Sequence, residues 1–226
     1  MLKRLFFLLM LILLFARPGA AYAQQPVTID TLEVDLWPEY DRPEMLVIYR
    51  ISLDAAVSLP ASLTISIPAD AELNAVAEGS ASGELVNADF ETQEAGDRIA
   101  VNVTATNSYV QLEYYDPSLQ KDGTVRHFEY SWDGGYDVNQ LIMEVQQPLG
   151  ASDMQAIPPM GAGQLREDTL TYYHVEVGSL DAGQSFEFSL DYTKQDDTLT
   201  ASQFQSSVPA AAEDAAETST PFDWMA

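Results

Sequence analysis

The sequence predicts an all-β protein: a single antiparallel β-sandwich of about ten strands, Ig-like or jelly-roll in style. Three observations predict it. Apolar residues recur at every second position through most of the chain, which puts one face of each strand in a core and the other in water. Clusters of Gly, Pro and Asp stand between those runs, where Gly allows positive φ and Pro fixes φ. No segment before residue 208 carries a helical period.

The elements follow in order. Leu32, Val34 and Leu36 mark an opening strand, and Met45 to Ile51 (MLVIYRI), apolar on both faces at its start, reads as a central one. Leu63, Ile65 and Ile67 alternate with Ser62, Thr64 and Ser66, and Ile99, Val101 and Val103 with Arg98, Ala100 and Asn102. Val110 to Tyr115 gives a further strand. Phe128, Tyr130 and Trp132 alternate with His127, Glu129 and Ser131. Leu141 to Val145 and Leu170 to Val177 follow, and Phe186, Phe188, Leu190 and Tyr192 close the series. Turn chemistry separates them at Pro60, Pro68, Asp116-Pro117, Lys121-Asp122-Gly123, Asp133-Gly134-Gly135, Pro158-Pro159 and Asp181-Ala182-Gly183. The sandwich is expected over residues 24–200. A split into two small domains near Asp116 to Gly123 would leave the second half too few strands to bury two faces of its own.

The ends read differently. Lys3 and Arg4, the 11-residue apolar run Leu5 to Phe15, and Ala21-Tyr22-Ala23 form the n-region, h-region and cleavage signature of a Sec-type signal peptide over residues 1–23. The apolar run is well short of the ~20 residues that a membrane span needs. The protein is therefore expected outside the cytoplasm: extracellular, on the cell surface or periplasmic. Residues 201–226 read as a flexible, Ala-rich acidic tail. Its aromatic end, Phe222 to Trp224, suits a membrane interface, and C-terminal anchoring by a helix beyond this chain is one expectation. The domain itself is expected to make no membrane contact.

Charge bounds the partners. The leader holds three of the ten basic residues and no acid, which leaves seven basic against 35 acidic side chains. Such a surface repels nucleic acid and anionic lipid. With no cysteine, an exported chain must be held by its apolar core.

The stretches Leu32 to Arg50 (LEVDLWPEYDRPEMLVIYR), Leu59 to Ala77 (LPASLTISIPADAELNAVA), Gln111 to Pro117 (QLEYYDP) and Glu144 to Pro148 (EVQQP) resemble uncharacterised exported bacterial β-sandwich proteins. The resemblance implies a signal peptide, one Ig-like or carboxypeptidase-regulatory-like domain, a linker and often a C-terminal membrane helix. It implies no activity.

Chemistry-bearing residues are few in kind. Asp30, Glu33, Asp35, Glu39, Asp41 and Glu44 crowd the opening segment, and a glycosidase would need two carboxylates facing across a bond. Asp133 and Asp137, with Asp196 and Asp197, are the acidic loop residues that could hold a structural calcium, although no EF-hand spacing is present and Asp also favours turns by itself. No other cofactor is expected. His127 and His174 fall on the polar parity of their strands, and neither a G-x-S-x-G elbow nor a phosphate-cradling loop is present. Among the aromatics, Trp132 shares the face of Phe128 and Tyr130 and is expected in the core. Trp37, Tyr40, Tyr115 and Tyr136 are the candidate ligand-binding set, able to stack on sugar rings or anchor a protein. The leading expectation is a non-enzymatic, extracytoplasmic domain that binds or spaces an unknown protein or glycan at the cell surface. A carbohydrate-binding module and a secreted carboxylate hydrolase are the alternatives.

Overall fold

The computed structural model describes residues 26–79 and 83–205. The signal-peptide reading of residues 1–23 and most of the tail reading, residues 206–226, lie outside them. The described chain is almost entirely β-structure, in three sheets of fifteen strands rather than one ten-stranded sandwich.

The strands are β1 (Thr28–Pro38), β2 (Met45–Leu53), β3 (Ala61–Pro68), β4 (Glu72–Gly79), β5 (Val86–Asn87), β6 (Asp89–Ala95), β7 (Arg98–Ala105) and β8 (Tyr109–Asp116). Then come β9 (Gln120–Asp122), β10 (Val125–Trp132), β11 (Asp137–Gln146), β12 (Ala151–Ile157), β13 (Gln164–Leu165), β14 (Thr171–Leu180) and β15 (Phe186–Lys194). A single helical turn, α1 (Ser202–Gln205), ends the described chain. The first sheet runs β13-β14-β11-β1-β2-β8-β4-β5, the second β12-β15-β10-β9 and the third β3-β7-β6. All pairings are antiparallel except β1 with β11, which run parallel with Asp35 opposite Glu144.

Most strands absent from the sequence reading lie at edges or are two or three residues long; the exception is β4, between β8 and β5, whose one buried apolar side chain is Val76. All seven residues of β6 (DFETQEA) are exposed, so no apolar alternation marks it. β12 is an edge strand whose register shifts near Asp153, a residue at φ 55°. Its period is broken where the backbone bends.

One apolar cluster draws on inward-facing residues of all three sheets, including Leu32, Val34 and Leu36 of β1, Leu63 and Ile65 of β3, and Phe128 and Trp132 of β10. At its centre Tyr130 donates its hydroxyl proton to the Tyr49 oxygen at 3.1 Å, the Tyr49 and Tyr114 hydroxyls lie 3.3 Å apart, and Trp132 meets the Tyr49 ring edge-on at 5.9 Å. These contacts let three phenols sit in a core without stranding a hydroxyl. Ala201–Gln205 turns back onto the body: the Thr200 and Ala201 N–H groups donate to the Glu39 and Tyr40 carbonyls at 3.0 and 2.8 Å. Among the described residues no helix is long and apolar enough to cross a membrane.

Candidate functional site

Period two gives β1, β2, β8 and β11 a second face, turned away from the cluster. It carries Glu33, Asp35 and Trp37 from β1, Leu46, Ile48 and Arg50 from β2, Glu113 and Tyr115 from β8, and Glu144 and Gln146 from β11. Register aligns them: Asp35 lies between Ile48 and Glu144, and Leu46 between Trp37 and Tyr115. An antiparallel sheet wetted on one side would carry solvated polar groups there. Here much of that face is buried, and it has two parts.

The first part is a carboxylate–guanidinium cluster. Carboxylate oxygens of Glu33, Asp35 and Glu144 all lie within 4.8 Å of one another. Arg50 bonds Asp35 Oδ2 and lies 4.0 Å from Glu33. Arg166 grips Glu144 through both guanidinium nitrogens, one at 2.8 Å from Oε1, and its guanidinium lies 4.0 Å over the Tyr172 ring. Arg166 is delivered by the turn between β13 and β14, where its N–H donates to the Leu170 carbonyl and Thr169 turns at φ 68°. Tyr172 donates to Asp168 at 2.7 Å and accepts from Gln146 Nε2 at 2.9 Å. Asp35 is 0% exposed. Burial pushes its carboxyl up to about 7; Arg50 opposes the rise, and the charges of Glu33 and Glu144 add to it. Three buried polar atoms on this face have no hydrogen-bond partner: Asp35 Oδ1, Trp37 Nε1 and Gln146 Oε1.

The second part is apolar. Leu46, Ile48 and Tyr115 form a cluster of their own, separate from the main core, with Trp37 and Tyr40 packed half-buried against it. The Trp37 and Tyr40 rings are 5.0 Å apart at 58°. Tyr115 donates to Asp41 at 2.9 Å, and the Arg42 guanidinium sits 3.9 Å over its ring while pairing Glu72 at 3.0 Å. Burial, then the Asp41 hydrogen bond, lifts the Tyr115 phenol to about 12.

Below this face, Glu39 forms a hub. It is 0% exposed, turns at φ 49°, and meets Lys121 at 2.7 Å, Lys194 and Arg126 at 3.4 Å each, and the Tyr192 hydroxyl at 2.9 Å. Burial raises its carboxyl, but the bonds from Lys121 and Tyr192 and the Lys194 charge outweigh that and hold it below the usual value. The seven cations of the described chain are thus spent mostly inside: three on Glu39 and two on Asp35 and Glu144.

The residues singled out in sequence fall in several places. Trp37, Tyr40 and Tyr115 come together, but Tyr115 is buried, and Tyr136 lies elsewhere, packed against the main core with its hydroxyl oxygen accepting from the Thr64 N–H at 2.6 Å. They form no single exposed row. Of the acidic residues proposed for calcium, Asp196 accepts from the Thr198 N–H two positions on at 3.0 Å, which is turn chemistry, and Asp137, at the start of β11, accepts from the Ala182 N–H at 2.8 Å and ties the two segments together. Asp197 pairs Arg126 at 2.9 Å, and Asp133 begins a turn whose Gly134 carbonyl accepts from the Gly183 N–H. The acidic group that does converge among the described residues is Glu33, Asp35 and Glu144. His127 is half-buried, its Nδ1 2.8 Å from Asp191, which raises its pKa, and His174 is half-buried in β14. Arg50, Glu144, Gln146 and Arg166 were not singled out. Their one signal was Arg50 inside the otherwise apolar MLVIYRI run.

No family model and no curated protein matches the chain. Solved structures of similar shape include an M1 zinc metallopeptidase from Deinococcus radiodurans (12% identity, 75% of this chain and 43% of that one, TM-score 0.48). A two-domain M1 zinc metallopeptidase bound to L-tryptophan is similar too (14%, 75% and 43%, TM-score 0.47), as is a protein assigned as a protease from Parabacteroides distasonis (10%, 76% and 41%, TM-score 0.44). The chain spans 43% of the length of the first of these. The expectation of a cell-surface binding or spacer domain, with its glycan-binding alternative, is corrected: the solved structures of similar shape are M1 zinc metallopeptidases and a protein assigned as a protease. At these identities and TM-scores the likeness carries neither activity nor zinc site to this chain.

Proposed function

We propose that the chain is a protease-associated β-domain that packs the second face of its eight-stranded sheet against a peptidase body. The observation that supports this reading is the separate cluster of Leu46, Ile48 and Tyr115, capped by half-buried Trp37 and Tyr40 and bordered by ion-paired Arg42, Arg50 and Glu72. An aromatic centre with a charged rim is the anatomy of a protein interface. The proteins of similar shape supply only the class of partner to test. Export through the predicted leader belongs to the same reading and would bring the domain to partners outside the cytoplasm.

The test is site-directed photo-cross-linking in the producing cells. A photoreactive residue at Tyr40 should give one adduct that mass spectrometry identifies as a peptidase. The same residue at Val125, exposed on the second sheet, should give none. Equal adducts from both positions, or a Tyr40 adduct with no peptidase in it, would overturn the proposal.

A further inference from the structure

We propose that Glu33, Asp35 and Glu144 form a binding site for one divalent cation, with calcium the best fit to its all-oxygen donors, and that the Arg166 guanidinium is the built-in competitor for that site. The site lies on the same sheet face as the docking reading but does not depend on it. Three observations carry the inference.

The first is geometry. Calcium holds oxygens at about 2.3–2.6 Å, so ligands on opposite sides of one ion stand roughly 5 Å apart. The three carboxylates meet that spacing, at 4.8 Å or less. They are placed by strand register rather than by mobile loops: Asp35 and Glu144 face each other across the parallel β1–β11 pair, and Glu33 precedes Asp35 by one pleat.

The second is a pair of orphaned acceptors. Asp35 is fully buried, and its Oδ1 receives no donor. Gln146, 1% exposed and outside the carboxylate trio, sits one pleat beyond Glu144; its Nε2 is tied to Tyr172, and its Oε1 also receives no donor. Buried acceptors ordinarily find a partner, and a cation satisfies several oxygens at once.

The third is charge. Once Asp35 is ionised, three carboxylates face two guanidiniums, Arg50 and Arg166, which leaves one negative charge uncompensated. Arg50 is fixed on β2. Arg166 is 50% exposed on a turn and reaches Glu144 from the outside. If a divalent ion replaced it, the three carboxylates, the ion and Arg50 would balance. Water entering by the side Arg166 leaves would complete the roughly six to eight ligands that calcium takes.

The test is calorimetric titration of the full chain with calcium chloride after chelator treatment, near pH 8 and at about 0.15 M salt, which screens diffuse binding to the acidic surface. One saturable site is expected. Asp35→Asn should weaken it by at least about tenfold, and Asp196→Asn should leave it unchanged. The decisive variant is Arg166→Gln: removing the competitor should tighten binding, whereas a residue that merely braced the fold would loosen it. Circular dichroism checks each variant, and Glu33→Gln, at a partly exposed position, stands in should Asp35→Asn not fold. Wild-type affinity in the Asp35 or Glu33 variant, or an Arg166→Gln protein that binds no tighter than wild type, would overturn the site.

Discussion

Asp35 should make the protein less stable as the pH rises from about 4 to neutrality, and Asp35→Asn should abolish that loss. The carboxyl is fully buried, and its pKa stands at about 7 against an ordinary 3.8. The groups that face it are Glu33 on its own strand, Arg50 on β2, Glu144 on β11 and Arg166 from the turn before β14, with Tyr109 of β8 nearby. The native state therefore holds the Asp35 proton more tightly than the unfolded chain does. The stability this contributes is fully present below the unfolded pKa and is lost as pH rises through the folded one. A shift of about three units corresponds to about 4 kcal/mol between roughly pH 4 and pH 7. Asparagine is close in shape to the protonated acid and does not titrate. Urea unfolding of both proteins, with chelator present, from pH 4 to pH 8 measures the difference, and the carboxylates remote from Asp35 cancel between them. The gap should swing toward the variant by about 4 kcal/mol as pH rises. A gap that does not change with pH would refute the reasoning.

Three further outcomes follow from the same structure. Glu39→Gln leaves Lys121, Arg126 and Lys194 around an uncharged group, and should cost about 3–5 kcal/mol in urea unfolding. Because the Glu39 pKa is lowered, the stability it contributes is present above the ordinary glutamate range and fades as pH falls through the native value, the opposite sign to Asp35. Gly134→Ala should destabilise by about 1–3 kcal/mol, since Gly134 sits at φ 77° and an added Cβ would fall 2.6 Å from the Gln184 carbonyl oxygen; thermal unfolding reads it. N-terminal sequencing of the protein recovered outside the cytoplasm should begin at Gln24, and a start at Met1 would remove the leader reading.

Strands that bury one face were legible in the sequence, because alternation is written into them. Trp132 lies in the core, as its parity with Phe128 and Tyr130 predicts, and Met45 to Ile51 lies in a strand flanked by β1 and β8. Strands β6 and β12 were illegible because edge strands need no apolar face. The division into three sheets, and the parallel pairing of β1 with β11, depend on which distant strands meet, and local periodicity is silent on that. The candidate site was half visible. Glu33, Asp35 and Glu39 stood out only as part of an acidic crowd, and Trp37 and Tyr40 as aromatics at a strand end. What gives them meaning is Glu144 from more than a hundred residues later and cations from Arg50, Lys121, Arg126, Arg166 and Lys194, all brought in by tertiary pairing. Tyr115 shows the same limit: it lies on the face turned away from the main core, but Asp41 and Arg42 cover it.

Docking of a peptidase on the second face of the large sheet is our proposal, resting on the Trp37, Tyr40 and Tyr115 cluster. The most direct measurement is peptide hydrolysis recovered with the tagged chain from its native cells, wild type against a Trp37→Asp, Tyr40→Asp double variant whose circular dichroism is unchanged. Hydrolysis should accompany the wild-type chain and be lost with the variant. Hydrolysis absent from the wild type, or equal in both, would contradict the account.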